Sequence, residues 1–322
     1  MTIKKLPSGS YRVQKQINGK RHSFTFDHKP TQKEINAAIN NASNAVNGKL
    51  TFRTASESYI NARSKVLSPA TVREYKGTLS RLSDSFCNTL IDNITTNMVQ
   101  LEINKLSENR APKTVRNYHG FIASVLGEFR QDLHLHTKLP MKEKKEVYIP
   151  KSEDIKAILN EAKGTNYELP ILLACAGMRR GEICALTESD IEGNIIHINK
   201  DMVLDENKKW VIKPPKTTES IRDIVVPDVI ISLIREKGLY KGHPSNITDY
   251  LHATEKKLGL QKFSIHKLRH YFASEAHAQG ISDADIMKAG GWSTDYVMKS
   301  VYRHSLEEDN SKATSAVFAQ LF

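Results

Sequence analysis

The sequence predicts an α+β chain of several domains: a small amino-terminal β-ribbon-plus-helix module, an all-α four-helix domain, and a mainly α domain with a small antiparallel sheet. Three observations lead there. Residues 10–26 alternate apolar and polar side chains around Asn18-Gly19, and residues 50–133 carry only helical stripes. After them, helical stretches are broken by short β-branched runs at 195–198, 209–212 and 222–226. A chain of 322 residues has room for two or three such domains.

The first module spans residues 1–47. Tyr11, Val13 and Ile17 share one parity, and Phe24 and Phe26 lie on the returning strand. Asn18-Gly19 joins them because both residues tolerate positive φ. Thr31-Gln32-Lys33-Glu34 fits a capping box and starts a helix that buries Ile35, Ala38, Ile39, Ala42 and Val46. A ribbon of this size fits a DNA major groove. Arg12, Lys20 and Arg21 are its candidate DNA contacts, with a solvated basic face as the plainer alternative. Asn47-Gly48-Lys49 reads as a linker.

Residues 50–135 form the helical domain. Its four stripes are Phe52, Ala55, Tyr59 and Ile60; Val72, Tyr75, Leu79 and Leu82; Val99, Ile103 and Leu106; and Val115, Tyr118, Ile122, Val125 and Phe129. Ser68-Pro69 begins the second helix as N-cap and first helical residue. Arg73, Lys113 and Arg116 head a set of outward cations. Singly they are ordinary exposed side chains; together they suit backbone phosphates, which position a protein without reading sequence. Residues 136–150, lysine-rich and bracketed by prolines, read as the tether to the third domain, 151–322, or as a solubilising spacer.

Lys and Arg total 47 against 36 acids, a formal charge of +11, which favours a polyanionic partner. Cys87, Cys175 and Cys184 form no C-x-x-C pair and suit reduced thiols in a cytosol. With no apolar leader and no apolar run of spanning length, a cytoplasmic protein without a membrane role is expected. No nucleotide-binding loop or zinc spacing is found, so no cofactor or metal is expected.

In the third domain, Ser152-Glu153-Asp154 caps the first helix, and an apolar helix ends at Gly177. Arg179 sits at the break before the next helix, where anions are already favoured. The three β-branched runs are expected to form one antiparallel sheet, with Lys213-Pro214-Pro215-Lys216-Thr217-Thr218-Glu219-Ser220 between its last two strands. Farther on, His266 and Arg269 are i, i+3 neighbours on a helix, and His270 follows on a near face. Gly290-Gly291 breaks the next helix and leaves Trp292 at a turn, and Tyr302 follows on a further helical turn. Singly, Tyr302 and Trp292 also read as core aromatics.

Together these elements resemble the tyrosine recombinases, the phage integrases and their relatives. That family's first-arginine motif T-G-x-R-x-x-E-x-x-x-L is matched by Gly177, Arg179, Glu182 and Leu186, with Ala176 for Thr. Its K-T-x-x-S-x-R turn is matched by Lys216 to Arg222, which favours Lys216 over Lys213. H-x-x-R falls at His266 and Arg269, then Gly291-Trp292, then Tyr302. The ribbon module resembles the family's arm-site-binding module. The helical domain resembles its four-helix, SAM-like core-binding domain.

The resemblance implies site-specific cleavage and rejoining of DNA at attachment sites through a 3′-phosphotyrosyl intermediate, as in a phage or mobile-element integrase. Tyr302 would be the nucleophile. Ionising a phenol at neutral pH costs on the order of 4 kcal/mol, so a base is needed, and neutral His266 suits that role. Arg179 and Arg269 would hold non-bridging oxygens, Trp292 would donate its indole N–H, and Lys216 would protonate the leaving 5′-oxygen. Glu182 would orient an arginine and His270 would support the site, neither reacting. The implied partners are double-stranded DNA, a homotetramer on that DNA, and a directionality factor (excisionase), in a bacterial cytoplasm at the nucleoid. The apolar tail ending Val317-Phe318 and Leu321-Phe322 folds back on its own core or docks on a neighbouring protomer. Two rival readings are a chromosome-dimer resolvase of the same family, disfavoured by the ribbon module, and a non-catalytic DNA-binding regulator, disfavoured by the complete set of reactive residues. A type IB topoisomerase shares the chemistry.

Overall fold

Three strands come before any helix. In the computed structural model β1 (Ile3–Lys5), β2 (Tyr11–Ile17) and β3 (Lys20–Phe26) form an antiparallel sheet in that order. The structure describes residues 3–17, 20–32, 34–36, 38–39, 50–142, 148–215, 218–294 and 298–299. The chain separates into two compact units, residues 1–144 and 145–322. Strand β1 escapes sequence reading because three residues with one apolar side chain show no alternation. It joins β2 through a tight turn, with Gly9 at φ 86° donating its N–H to the Leu6 carbonyl at 3.0 Å. Val13 is fully buried, whereas Arg12, Gln14 and Gln16 face Thr25, Ser23 and Arg21 across the strands, all exposed. The capping box at Thr31 is present: Thr31 N–H donates to Glu34 Oε2 at 2.7 Å, and Ile35 is buried. Asn18-Gly19, Ala42 and Val46 lie outside the described residues, as does the side chain of Lys20.

The four predicted helical stripes become α1 (Phe52–Arg63), α2 (Pro69–Leu79), α4 (Thr96–Ser107) and α5 (Pro112–Phe129). A one-turn helix, α3 (Asp84–Cys87), lies between the second and third. Four residues are too few for a periodic signal. Ser83 caps it, and its N–H and hydroxyl also donate to buried Glu102 at 2.7 and 2.5 Å, tying α3 to α4. Phe52, Val99, Phe121 and Ile122 meet in one core. The first part of the predicted tether is held on this unit. Gln100 accepts from Lys138 N–H at 2.8 Å and donates to its carbonyl at 3.1 Å, while Arg116 Nε donates to Pro140 at 3.0 Å. One side-chain amide here does what a neighbouring strand would do.

The second unit begins with α6 (Ser152–Ala162), whose cap is Lys151, one residue before the predicted Ser152; Asp154 accepts the Lys151 N–H at 3.2 Å. Then follow α7 (Glu168–Cys175) and α8 (Arg180–Ala185). The single sheet expected from the sequence is corrected to two. β4 (Ile191–Glu192), β5 (Ile195–Ile198) and β8 (Arg222–Val225) form one; β6 (Asp201–Leu204) and β7 (Trp210–Lys213) form a separate hairpin. The reason is local. Asp205 accepts the N–H groups of Asn207 and Lys209 at 2.9 and 2.7 Å, and Lys208 takes φ 60°. That turn folds β7 back on β6, so β5 pairs with β8 instead.

Helices α9 (Asp228–Lys237), α10 (Pro244–Leu258), α11 (His266–Ala278) and α12 (Asp283–Gly290) complete the described unit. Ile158, Ile171, Ile196, Ile247 and Leu268 are fully buried in its core. No helix among the described residues is long and apolar enough to cross a membrane.

The hairpin approaches α8 at Gly181. A Cβ there would lie 2.6 Å from the Met202 carbonyl and overlap the Asp201 carboxylate. Gly181→Ala is therefore expected to lower stability by about 1–3 kcal/mol, the usual cost of overpacking. Chemical denaturation checks this; an unchanged midpoint would mean the hairpin yields freely.

Candidate active site

Helix α7 ends in a turn at Gly177, whose φ of +91° brings the chain round to Arg179, the N-cap of α8. A Cβ at Gly177 would lie 3.0 Å from the Phe272 ring of α11. Arg179 donates its N–H to Glu182 Oε2 at 2.8 Å and its Nη1 to Oε1 at 2.6 Å. From β8, Arg222 approaches the same buried carboxylate, with Nη1 at 3.1 Å from Oε1 and Nη2 at 2.9 Å from Oε2. Burial alone would raise the Glu182 pKa. The Arg222 hydrogen bond and the charges of Arg222 and Arg179 overcome it and hold the carboxyl below its ordinary value.

The two arginines also grip the end of α12. Arg222 Nε donates to the Ala289 carbonyl at 2.8 Å, and Arg179 Nη2 donates to the Gly291 carbonyl at 3.0 Å. Gly291 takes the left-handed conformation, φ 64°, that ends the helix and carries the chain into Trp292.

Arg269, on α11, is 1% exposed. Its Nη1 donates to the Gly177 carbonyl at 2.5 Å, and its Nε and Nη2 have no partner. Burial, with Arg179 and Arg222 nearby, disfavours its charge. A guanidinium keeps its proton regardless, so the site is short of negative charge. The Arg269 guanidinium lies over the Trp292 ring, 4.1 Å from its centroid. Trp292 is 8% exposed.

His266 and His270 meet edge to face, their centroids 4.9 Å apart. His266 is exposed as a residue, yet desolvation by the surrounding protein, and then the charges of Arg269, Arg179 and Lys267, push its pKa to about 4. Burial, then His266, Lys267 and Arg269, push His270 to about 3, and His270 Nδ1 is buried without a partner. Both shifts favour the neutral ring at physiological pH.

The fold thus brings together Arg179, Glu182, Arg222, His266, Arg269, His270 and Trp292 from four separate stretches of sequence. Lys216 and Tyr302 lie outside the described residues. The rival Lys213 ends β7 with its Nζ donating to the Pro214 carbonyl at 2.8 Å. In the first unit, Arg12, Arg21 and Lys113 are exposed and Arg73 is half-buried; Arg116 spends its Nε on Pro140. Sequence reasoning placed Arg222 only as part of a turn motif. An arginine opening a strand reads as solvent-facing, and only its register against Ile198 turns it inward. Among the described residues no group of three or more His, Cys, Asp or Glu could hold a metal ion.

The chain matches the phage integrase family over residues 149–309, half of its length. It is 22% identical over 273 residues to a tyrosine recombinase XerC-like protein of Caldanaerobacter subterraneus subsp. tengcongensis, covering 68% of this chain and 69% of that one. It is 23% identical over 263 residues to prophage integrase IntR of Escherichia coli strain K12, covering 66% of this chain and 62% of that one. Among solved structures, the Tn1549 transposon integrase in complex with a circular intermediate DNA superposes with a TM-score of 0.68 at 15% identity, over 80% of this chain and 99% of that one. A lambda integrase dimer bound to a core site gives 0.60 at 15% identity, over 93% and 94%. At such identities these structures establish the fold alone.

The histidine pair has a measurable consequence. With folded pKa values of about 4 and about 3 against 6.5, the unfolded chain binds more protons between those limits. Stability is therefore full above pH 6.5 and falls as pH drops through the window. The chain's two tryptophans, Trp210 and Trp292, both lie in the second unit, so their fluorescence follows its unfolding. The urea midpoint should fall between pH 7 and pH 4.5 less steeply in a His266→Gln/His270→Gln variant than in the parent, where ~1.4 kcal/mol accompanies each pKa unit before solvent screening. Parallel slopes would remove the pair from that role.

Proposed function

The chain belongs to the phage integrase family, and from that premise we propose that it is a site-specific DNA recombinase that cleaves and rejoins attachment sites through a 3′-phosphotyrosyl intermediate. Integration and excision of a phage or mobile element are the processes it would serve. One observation carries the reading: the guanidiniums of Arg179 and Arg222 share one buried carboxylate, and a third beside them, that of Arg269, keeps two buried N–H donors without partners. Such a site is built to receive an anion. A phosphodiester in its pentacoordinate state carries more charge than in its ground state, so fixed guanidiniums favour reaction over mere binding.

In this reading the Tyr302 oxygen attacks phosphorus and gives up its proton to His266. The low pKa of His266 supports its neutral, proton-accepting form in the free site. The bond from phosphorus to the 5′-oxygen breaks as the tyrosyl ester forms, and Lys216 protonates the departing oxygen. Rejoining runs the same steps backwards, so no external energy source is consumed. Glu182 and Arg222 set the angle of Arg179, and Trp292 completes the phosphate site from the end of α12.

The amino-terminal sheet is assigned to arm sites. Its exposed face sets Arg12 and Arg21 among Gln14, Gln16, Ser23 and Thr25, side chains able to pair with base edges in a major groove. The helical region is assigned to the core site, with Arg73, Lys113 and Arg116 as phosphate contacts, and a homotetramer to the synaptic complex. A chromosome-dimer resolvase is the weaker reading because that three-stranded sheet precedes the helical region.

Tyr302→Phe is expected to bind a duplex spanning the junction of the excised element as tightly as the parent. It should form no covalent complex on a nicked version of that duplex and recombine no pair of site-bearing plasmids. A denaturing gel checks for the covalent complex; a slower-migrating protein band with the Phe variant would refute the nucleophile.

A further inference from the structure

We propose that Trp292 serves the phosphate site through the face of its ring, as an aromatic platform that fixes the Arg269 guanidinium, and not through its indole N–H. The proposal rests on the recombinase reading and assigns Trp292 a positioning role within it.

Arg269 heads the largest fully buried side chains among the described residues. It is 1% exposed, donates to one carbonyl, and has no carboxylate within hydrogen-bond reach. Arg179 and Arg222, both of like sign, stand close enough to disfavour its charge further. Compensation for a desolvated cation must come from elsewhere. The ring of Trp292 supplies it: the guanidinium carbon lies 4.1 Å from the ring centroid, within the roughly 6 Å over which a π face attracts a cation. Contact with the ring also uses no N–H donor, so the buried Nε and Nη2 are left unpaired for the oxygens of a phosphate.

The platform itself is fixed from several sides. The Trp292 backbone N–H donates to the Met287 carbonyl at 3.0 Å, closing the turn that ends α12. Gly290 leaves room that any side chain would fill, because a Cβ there would overlap the six-membered part of the indole. The ring packs with Ala273, Ala276, Ile286 and Met298. Arg179 and Arg222 hold the neighbouring carbonyls of Gly291 and Ala289, so the arginine cluster sets the height of the platform under Arg269. A histidine at this position would offer a donor but a smaller face, and a positive one when protonated.

The experiment separates face from donor. Trp292→Phe keeps a π face without N–H, Trp292→His keeps a donor with little face, and Trp292→Leu keeps neither. Each variant is assayed as the full chain for covalent complex formation on the nicked junction duplex, and again on the same duplex with a methylphosphonate at the scissile position. A neutral linkage asks less of Arg269. We expect Phe to lose about threefold relative to the parent, while His and Leu lose about tenfold or more, the scale of one desolvated cation–π contact. On the methylphosphonate duplex the Leu deficit should shrink to under about threefold, since the missing support concerns charge. A His variant at the parental rate beside a crippled Phe variant overturns the proposal. So does a Leu deficit of equal size on both linkages, which marks a packing role. If Leu does not fold, as judged by thermal melting, Phe against His decides. Failure of the parent chain to form the complex on either duplex removes the recombinase reading, and the platform with it.

Discussion

The Glu182 carboxylate is the contact on which the second unit's functional face depends. Two guanidiniums converge on a group that is almost fully buried, and each reaches onward to a carbonyl of the α12 terminus. A buried ion pair contributes little net stability when complete, because desolvation offsets attraction. Breaking one costs about 3–5 kcal/mol, because a charge is left uncompensated. The cluster is therefore better understood as a device for geometry. It fixes the Gly177 turn, the start of α8, the first residue of β8 and the turn before Trp292 relative to one another.

That geometry leaves the site electron-poor by design. Arg179 and Arg222 are neutralised in part by Glu182, but Arg269 has only a carbonyl and an aromatic face. Asp201, on the adjoining hairpin, does not correct the imbalance. Burial and the Glu182 charge push its carboxyl upward, towards the neutral form. Burial first, and then the positive charge already crowded there, keeps the neighbouring histidines uncharged. The crowded positive charge that suits the site to an anion thus adds to burial in keeping an imidazole able to accept a proton. The overall fold carries no such information, since a shared fold can host unrelated chemistry and only the site argues for function.

Much of the architecture was legible in the sequence, though unevenly. The stripe Val115, Tyr118, Ile122 and Val125 announced α5, and Ser68-Pro69 announced the start of α2. The H-x-x-R spacing put His266 and Arg269 on one helix, as α11 bears out. Short elements were missed: β1 has three residues and α3 four, too few for a period to register. The division of the predicted sheet into two was also hidden. It turns on the Asp205 turn, where one side chain's hydrogen bonds choose between a hairpin and a longer ladder.

The sequence by itself determined the chemical inventory: which arginines, histidines and aromatics are available, and on which local element each sits. Those facts follow from interactions within a few residues, namely caps, periodic stripes and glycine turns. The tertiary structure alone decided that Arg222 points inward to Glu182, 40 residues away, and that Arg179 holds Gly291 across 112. It also decided that an indole ring lies 4.1 Å from a buried guanidinium. Such pairings depend on how distant segments exclude water and satisfy each other's charges, and no local periodicity encodes that.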